Sequence, residues 1–233
     1  MLCLGLWEKY LSTLKYNSSL VEEKTQLMDF WKHSFSFSNS VLKAFREIKR
    51  EEFIPKELKG SAYSDVPLPL MRGKTISQPT TVMIMTAALE LRPNEKVFEI
   101  GTGSGYQAAI IAKIIGPKGK VVTTEVVPEL VKFARDNFKK AKIGNISVYE
   151  DDGSNGMQSE APFDKIIITA ACKEFPKPLL SQLKTGGIIV GPVGSLNEQE
   201  MIRGRKDAKG NLELEFLGPF LFTPMYGKYG FEI

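Results

Sequence analysis

Histidine and cysteine are nearly missing from this chain of 233 residues, which holds one His, His33, and two cysteines, Cys3 and Cys172. Chemistry built on an imidazole base, a Cys/His metal cage or a disulfide framework therefore has little material here. The cysteines lie far apart in sequence and form no C-x-x-C pair, which points to a reducing compartment. As a nucleophile Cys172 would need an activating base, and none stands near it in the sequence. Long apolar runs are also missing: none reaches the roughly 18 residues of a membrane-spanning helix. The apolar start, Met1 to Trp7, is cut off by Glu8 and Lys9 with no basic residue before it, so no signal peptide is expected. Nor does one sign of charge dominate. Lys and Arg number 31 against 27 Asp and Glu, a formal net charge of +4. Nucleic-acid binding asks for a concentrated basic face. These absences lead to the expectation of a cytoplasmic protein with neither a membrane nor a nucleic acid as partner.

What is present is enough for one good core, with 42% hydrophobic residues. Residues 1–37 read as a helical extension, because Leu6, Tyr10, Leu14 and then Leu20, Leu27, Phe30 and Trp31 recur near helical spacing around an Asn17-Ser18-Ser19 break. Residues 38–233 read as a single domain. Asn39 or Ser40 is placed to cap a helix over 41–49, and Pro55, Pro67 and Pro69 keep the next stretch irregular. Pro79 suits the first turn of a helix running to Glu90. Strand and helix patterns then alternate: strands over 96–100, 120–125, 146–150, 164–170 and 188–193, helices over 106–115, 128–140 and 179–183, the last ended by Gly186-Gly187. Asp207-Ala-Lys-Gly-Asn211 marks a hairpin between 198–206 and 212–216. This pattern predicts an α/β fold: a doubly wound, mostly parallel, seven-stranded sheet with helices on both faces and an antiparallel C-terminal hairpin.

The chemistry concentrates at 97–107, Val-Phe-Glu-Ile-Gly-Thr-Gly-Ser-Gly-Tyr-Gln. Glycines at alternate positions (Gly101, Gly103, Gly105) follow a strand and open a helix, so backbone can approach a ligand closely where helix N–H groups are free. A nicotinamide turn of the Gly-x-Gly-x-x-Gly type needs glycine at 106, where this chain has Tyr106. The alternate form suits a cofactor without a pyrophosphate. Glu125 closes the second strand, where a carboxylate can accept ribose hydroxyls, and Asp151-Asp152-Gly153 follows the third. Three acids at successive strand ends line one crevice.

Glu99-Ile-Gly-Thr-Gly-Ser-Gly105 with Glu125 and Asp152-Gly153 resembles the S-adenosyl-L-methionine core of class I methyltransferases. Flanking segments narrow the resemblance: Arg50-Glu-Glu-Phe-Ile-Pro55, Ala62-Tyr-Ser-Asp-Val-Pro-Leu-Pro-Leu70, Gly73-Lys-Thr-Ile-Ser-Gln-Pro79, Thr169-Ala-Ala171, Leu183-Lys-Thr-Gly-Gly187 and Phe222-Thr-Pro-Met-Tyr-Gly-Lys-Tyr-Gly-Phe231. Over residues 41–231 the chain resembles the protein-L-isoaspartate O-methyltransferase family. That resemblance implies methylation of the free α-carboxylate of L-isoaspartyl residues in damaged proteins and peptides, giving an ester that collapses to a succinimide. It implies S-adenosyl-L-homocysteine as the demethylated product, and a monomer is expected. It assigns Ser77 to the reacting carboxylate and Thr75 and Ile76 to a lid over the cofactor. Glu99, Gly101, Thr102 and Gly103 fall to the methionine half, Glu125 to the ribose, and Asp152 with Gly153 to the adenine, while Ser104, Val126 and Thr169 are counted among the cofactor-binding residues. Two positions depart from the family pattern: Thr80 stands where an aromatic or His is usual, and Lys74 where Gln is frequent.

The chemistry asks for no metal and no His. A carboxylate with a reference pKa of about 4 is ionised at neutral pH, so the site has to supply approach geometry and exclude water. A methyltransferase of a small carboxylate metabolite remains the alternative. Base methylation is disfavoured because Thr169-Ala-Ala-Cys172 stands where an Asn/Asp-Pro-Pro-Tyr segment would be expected.

Overall fold

The computed structural model describes residues 20–232. The first of the two helices expected in 1–37 lies outside them. The second is α1, Leu20–Ser34. Its Trp31 is fully buried against Phe45 and Phe37, with ring centres 4.5 and 5.9 Å away. Helix α2, Asn39–Glu47, is capped by Ser38, whose hydroxyl accepts from the Val41 N–H. It therefore starts two residues before the sequence estimate. Between α2 and residue 79 the chain runs through short 3-10 turns and a miniature hairpin, β1 (Leu68–Pro69) with β2 (Thr75–Ile76).

From α3 (Pro79–Ala88) onward, β and α elements alternate as the periodicity predicts: β3 Lys96–Ile100, α4 Tyr106–Ile115, β4 Lys120–Glu125, α5 Pro128–Lys140, β5 Ile146–Glu150 and β6 Phe163–Ile168. Helix α6 (Lys177–Gln182) and strands β7 Leu183–Gly194, β8 Gln199–Lys206 and β9 Leu212–Phe220 complete the chain. The sheet has seven strands in the order β5-β4-β3-β6-β7-β8-β9, parallel as far as β7 and antiparallel through β8 and β9. Alternation along β3 sends Val97 into one apolar layer with α1 to α5, and Phe98 and Ile100 into the other with α6. The chain leaves β3 toward β4 and β5, then returns to place β6 on its other side. The switch point therefore lies between the carboxyl ends of β3 and β6, where open sheets hold ligands.

Gly186-Gly187 behaves differently from its reading as a helix stop. Strand β7 begins at Leu183, and its register against β6 shifts between the Phe163 and Lys165 pairings. A Cβ on Gly187 would fall 2.7 Å from both Leu183 Cδ1 and the Lys184 carbonyl. The glycines therefore make room for a bulge inside a strand.

Candidate active site

The glycine turn at the end of β3 is held from below and from both sides. Gly101, Gly103 and Gly105 all have positive φ, at 94°, 53° and 87°. The Gly101 and Thr102 N–H groups donate to the Thr124 carbonyl at 2.9 and 3.0 Å. Thr169, at the end of β6, clasps the start of the turn: its hydroxyl reaches the Ile100 and Gly101 carbonyls at 2.9 and 2.6 Å. On the far side Asn137 of α5 donates to the Ser104 carbonyl at 3.0 Å. A Cβ on Gly105 would lie 2.4 Å from the Phe138 ring, whereas one on Gly103 would meet nothing closer than Leu70 at 4.0 Å. Gly105 thus serves packing, and Gly103 leaves open space beside the cleft.

Thr75, Ile76 and Ser77 on one side and Gly101 to Ser104 on the other line a single cleft of about 840 Å³ that opens to solvent. Glu125, Val126, Gly153 and Thr169 line it too, so most of the residues singled out from sequence converge here. The hydroxyl of Ser77 has no hydrogen-bond partner among the described residues and is free for a ligand. The Glu125 carboxylate accepts from the N–H groups of Gly103, Val126 and Val127 at 2.9, 2.9 and 3.1 Å. Three of its roughly four acceptor sites are filled. It keeps about one site for a ligand hydroxyl.

Two acids sit elsewhere than expected. Asp152 does not line the cleft. Its Oδ2 accepts from the Lys228 N–H and Asn155 Nδ2, both at 2.8 Å, and its Oδ1 accepts from the Ser154 N–H at 2.9 Å. It ties the C-terminal segment to the loop after β5, and its neighbour Asp151 forms the cleft wall instead. Glu99 is buried beneath the turn. Thr123 donates to its Oε2 at 2.5 Å and also bonds the Thr102 hydroxyl at 2.7 Å, while Oε1 is buried without a hydrogen-bond partner. Burial first, and the nearby Glu125 charge second, push its carboxyl up to about 8 against the Thr123 bond. Glu99 is thus a neutral prop under the turn at pH 7.

Sequence reasoning gave no role to the wall made by Thr223, Pro224, Met225 and Tyr226, or to Tyr106 and Lys74, all of which line the cleft. The 222–231 run carried family likeness without local periodicity, so nothing in its pattern tied it to the site. Thr80 is not on the substrate side at all. It receives the Trp31 indole N–H at 2.7 Å and donates to Asp65 Oδ2 at 2.7 Å, while its own N–H reaches Asp65 Oδ1 at 2.9 Å. Cys172 is buried, which pushes its thiol up to about 12, and it is inert as a nucleophile. His33 is exposed and turned back on the Asp29 carbonyl of its own helix.

The residues fit a nucleoside-bearing sulfonium donor. They offer an open glycine turn, a fixed carboxylate at the end of β4, a second acid at the end of β5, and an apolar flank from Ile76, Val82 and Leu130. A relative from Archaeoglobus fulgidus, named protein-L-isoaspartate O-methyltransferase 2, is 43% identical over 91% of this chain and 96% of its own length. One from Methanopyrus kandleri, named protein-L-isoaspartate O-methyltransferase, is 44% identical over 84% of this chain and 87% of its own. A solved protein-L-isoaspartate O-methyltransferase superposes with a TM-score of 0.80 at 28% identity, covering 89% of this chain and 67% of that one. The family model matches residues 22–230, so helix α1 from its third residue onward falls within the match along with the sheet, and the chain belongs to the protein-L-isoaspartate(D-aspartate) O-methyltransferase family.

Proposed function

We propose that this chain repairs damaged proteins by methylating the free α-carboxylate of L-isoaspartyl residues, with S-adenosyl-L-methionine as donor. The observation that carries the reading is Ser77, whose unpartnered hydroxyl faces the same cleft as the open glycine turn. Bound in this cleft, S-adenosyl-L-methionine supplies an electrophilic methyl on a positively charged sulfur. The chain supplies the rest. Gly101, Thr102, Gly103 and Ser104 give backbone surface for the donor, with Glu125 beside Val126 for its ribose and Asp151, Gly153 and Thr169 for its base. Ser77 donates a hydrogen bond to the substrate carboxylate and orients one oxygen for attack. The Thr75-Ile76 strap and the Pro224-Met225 wall exclude water from an ionised nucleophile that needs no base. The ester so formed closes to a succinimide, which reopens in part to normal aspartate.

A cytoplasmic setting is supported by the buried free thiol of Cys172. No helix among the described residues is long and apolar enough to cross a membrane. The test offers an isoaspartyl peptide, its aspartyl twin and a panel of small carboxylates with methyl-labelled donor. Label on the isoaspartyl peptide alone is expected; label confined to the small acids would replace this reading with a metabolite methyltransferase.

A further inference from the structure

Lys74 is the only residue with a cationic side chain among the described residues that line the cleft. Its ammonium lies 4.4 Å from the ring centre of Tyr226, and no carboxylate or carbonyl among the described residues pairs with it. Three N–H donors therefore line the cleft with no carboxylate among the described residues paired to them. The group is half-buried, and burial lowers its proton affinity while the charge of Glu125 holds it up. Glu125 itself is committed to three backbone N–H groups. The Tyr226 face is a seat for a cation, which fixes where the ammonium sits. Lys74 shares its strap with Ser77, so both reach the cleft from the same short segment. The steps described above leave this charge unused.

We propose that Lys74 recognises the ionised α-carboxylate of the substrate, its ammonium seated on Tyr226 and forming with the Ser77 hydroxyl a two-point clamp on that group. This rests on the isoaspartyl reading above. The contribution is to binding: the pairing lowers KM and leaves kcat little changed. A neutral hydrogen-bonding residue at 74 keeps a donor and loses the attraction.

The test loads the enzyme with S-adenosyl-L-homocysteine and measures by calorimetry its affinity for an isoaspartyl peptide and for a twin whose α-carboxylate is a carboxamide. Wild-type protein is expected to prefer the carboxylate by about tenfold or more. Lys74→Met is expected to bring the two within about twofold, Lys74→Gln to behave nearly as badly, and Lys74→Arg to keep most of the preference. In steady state Lys74→Met should raise the peptide KM about tenfold with kcat within about twofold, and flatten the salt dependence of KM. An undiminished carboxylate preference in Lys74→Met overturns the proposal, as does a loss in kcat at constant KM. Wild-type protein that methylates the peptide yet shows no carboxylate preference overturns it while leaving the activity standing; wild-type protein that binds neither peptide sinks both.

Discussion

At the residue scale, the proposed function gives Ser77 the substrate carboxylate to hold, while the buried Glu99 props the floor of the turn. Ser77→Ala is expected to lower kcat by about ten- to hundredfold, the scale of one lost donor at a reacting oxygen. The affinity for S-adenosyl-L-homocysteine, measured by calorimetry, should shift by less than about threefold. An unchanged rate removes Ser77 from the reaction. Glu99 makes a pH prediction instead. The folded protein holds its proton up to about pH 8, whereas the unfolded chain releases it near 4.5, so stability falls as pH rises through that window. Glu99→Gln keeps the shape without the charge. Thermal unfolding from pH 5 to 9 should show the variant gaining on wild type steadily toward pH 8, and parallel curves would contradict a buried neutral Glu99. Sequence marked this residue as an acid beside the ligand. It could not show that the side chain points under the turn, because alternation along β3 assigns a face and not a depth.

At the element scale, the alternating glycines have unlike tasks. Gly105→Ala drives a Cβ into the Phe138 ring from a left-handed backbone and should cost about 2–4 kcal/mol of stability, read by denaturant unfolding. Gly103→Ala meets only open space and should cost about 1 kcal/mol, yet it should weaken cofactor affinity severalfold by calorimetry. If the two substitutions give the same profile, the division between packing and approach is wrong. The turn, the strands and the helices flanking it were legible from period and glycine spacing alone. Strand β7 was legible over 188–193 but not at its start, because Gly186-Gly187 is a common helix-stop signal and only the partner strand shows that these glycines form a bulge. The β1–β2 hairpin escaped notice for a similar reason: two residues per strand carry no period, and its pairing is visible only in three dimensions.

At the scale of the whole molecule, helix α1 is coupled to the site through Trp31, Thr80 and Asp65, which meet at the first turn of α3 just beyond Ser77. Trp31→Ala is expected to cost about 3–5 kcal/mol, and Trp31→Phe, which loses mainly the indole hydrogen bond, about 1–2 kcal/mol. Denaturant unfolding with activity followed in parallel checks this, and an unaffected Trp31→Ala protein would make α1 a mere attachment. The sequence showed an amphipathic helix here and could not show that its buried tryptophan reaches across to hydrogen-bond Thr80 at the start of α3. The central claim, that the cleft aims an ionised isoaspartyl carboxylate at a donor methyl, is tested most directly by time-resolved mass spectrometry of one isoaspartyl peptide with enzyme and S-adenosyl-L-methionine. A single methyl gain followed by loss of methanol to a succinimide, and then by a mixture of aspartyl and isoaspartyl peptide, is the result expected. A peptide that stays unmodified, or an aspartyl twin that gains the methyl equally fast, would contradict it.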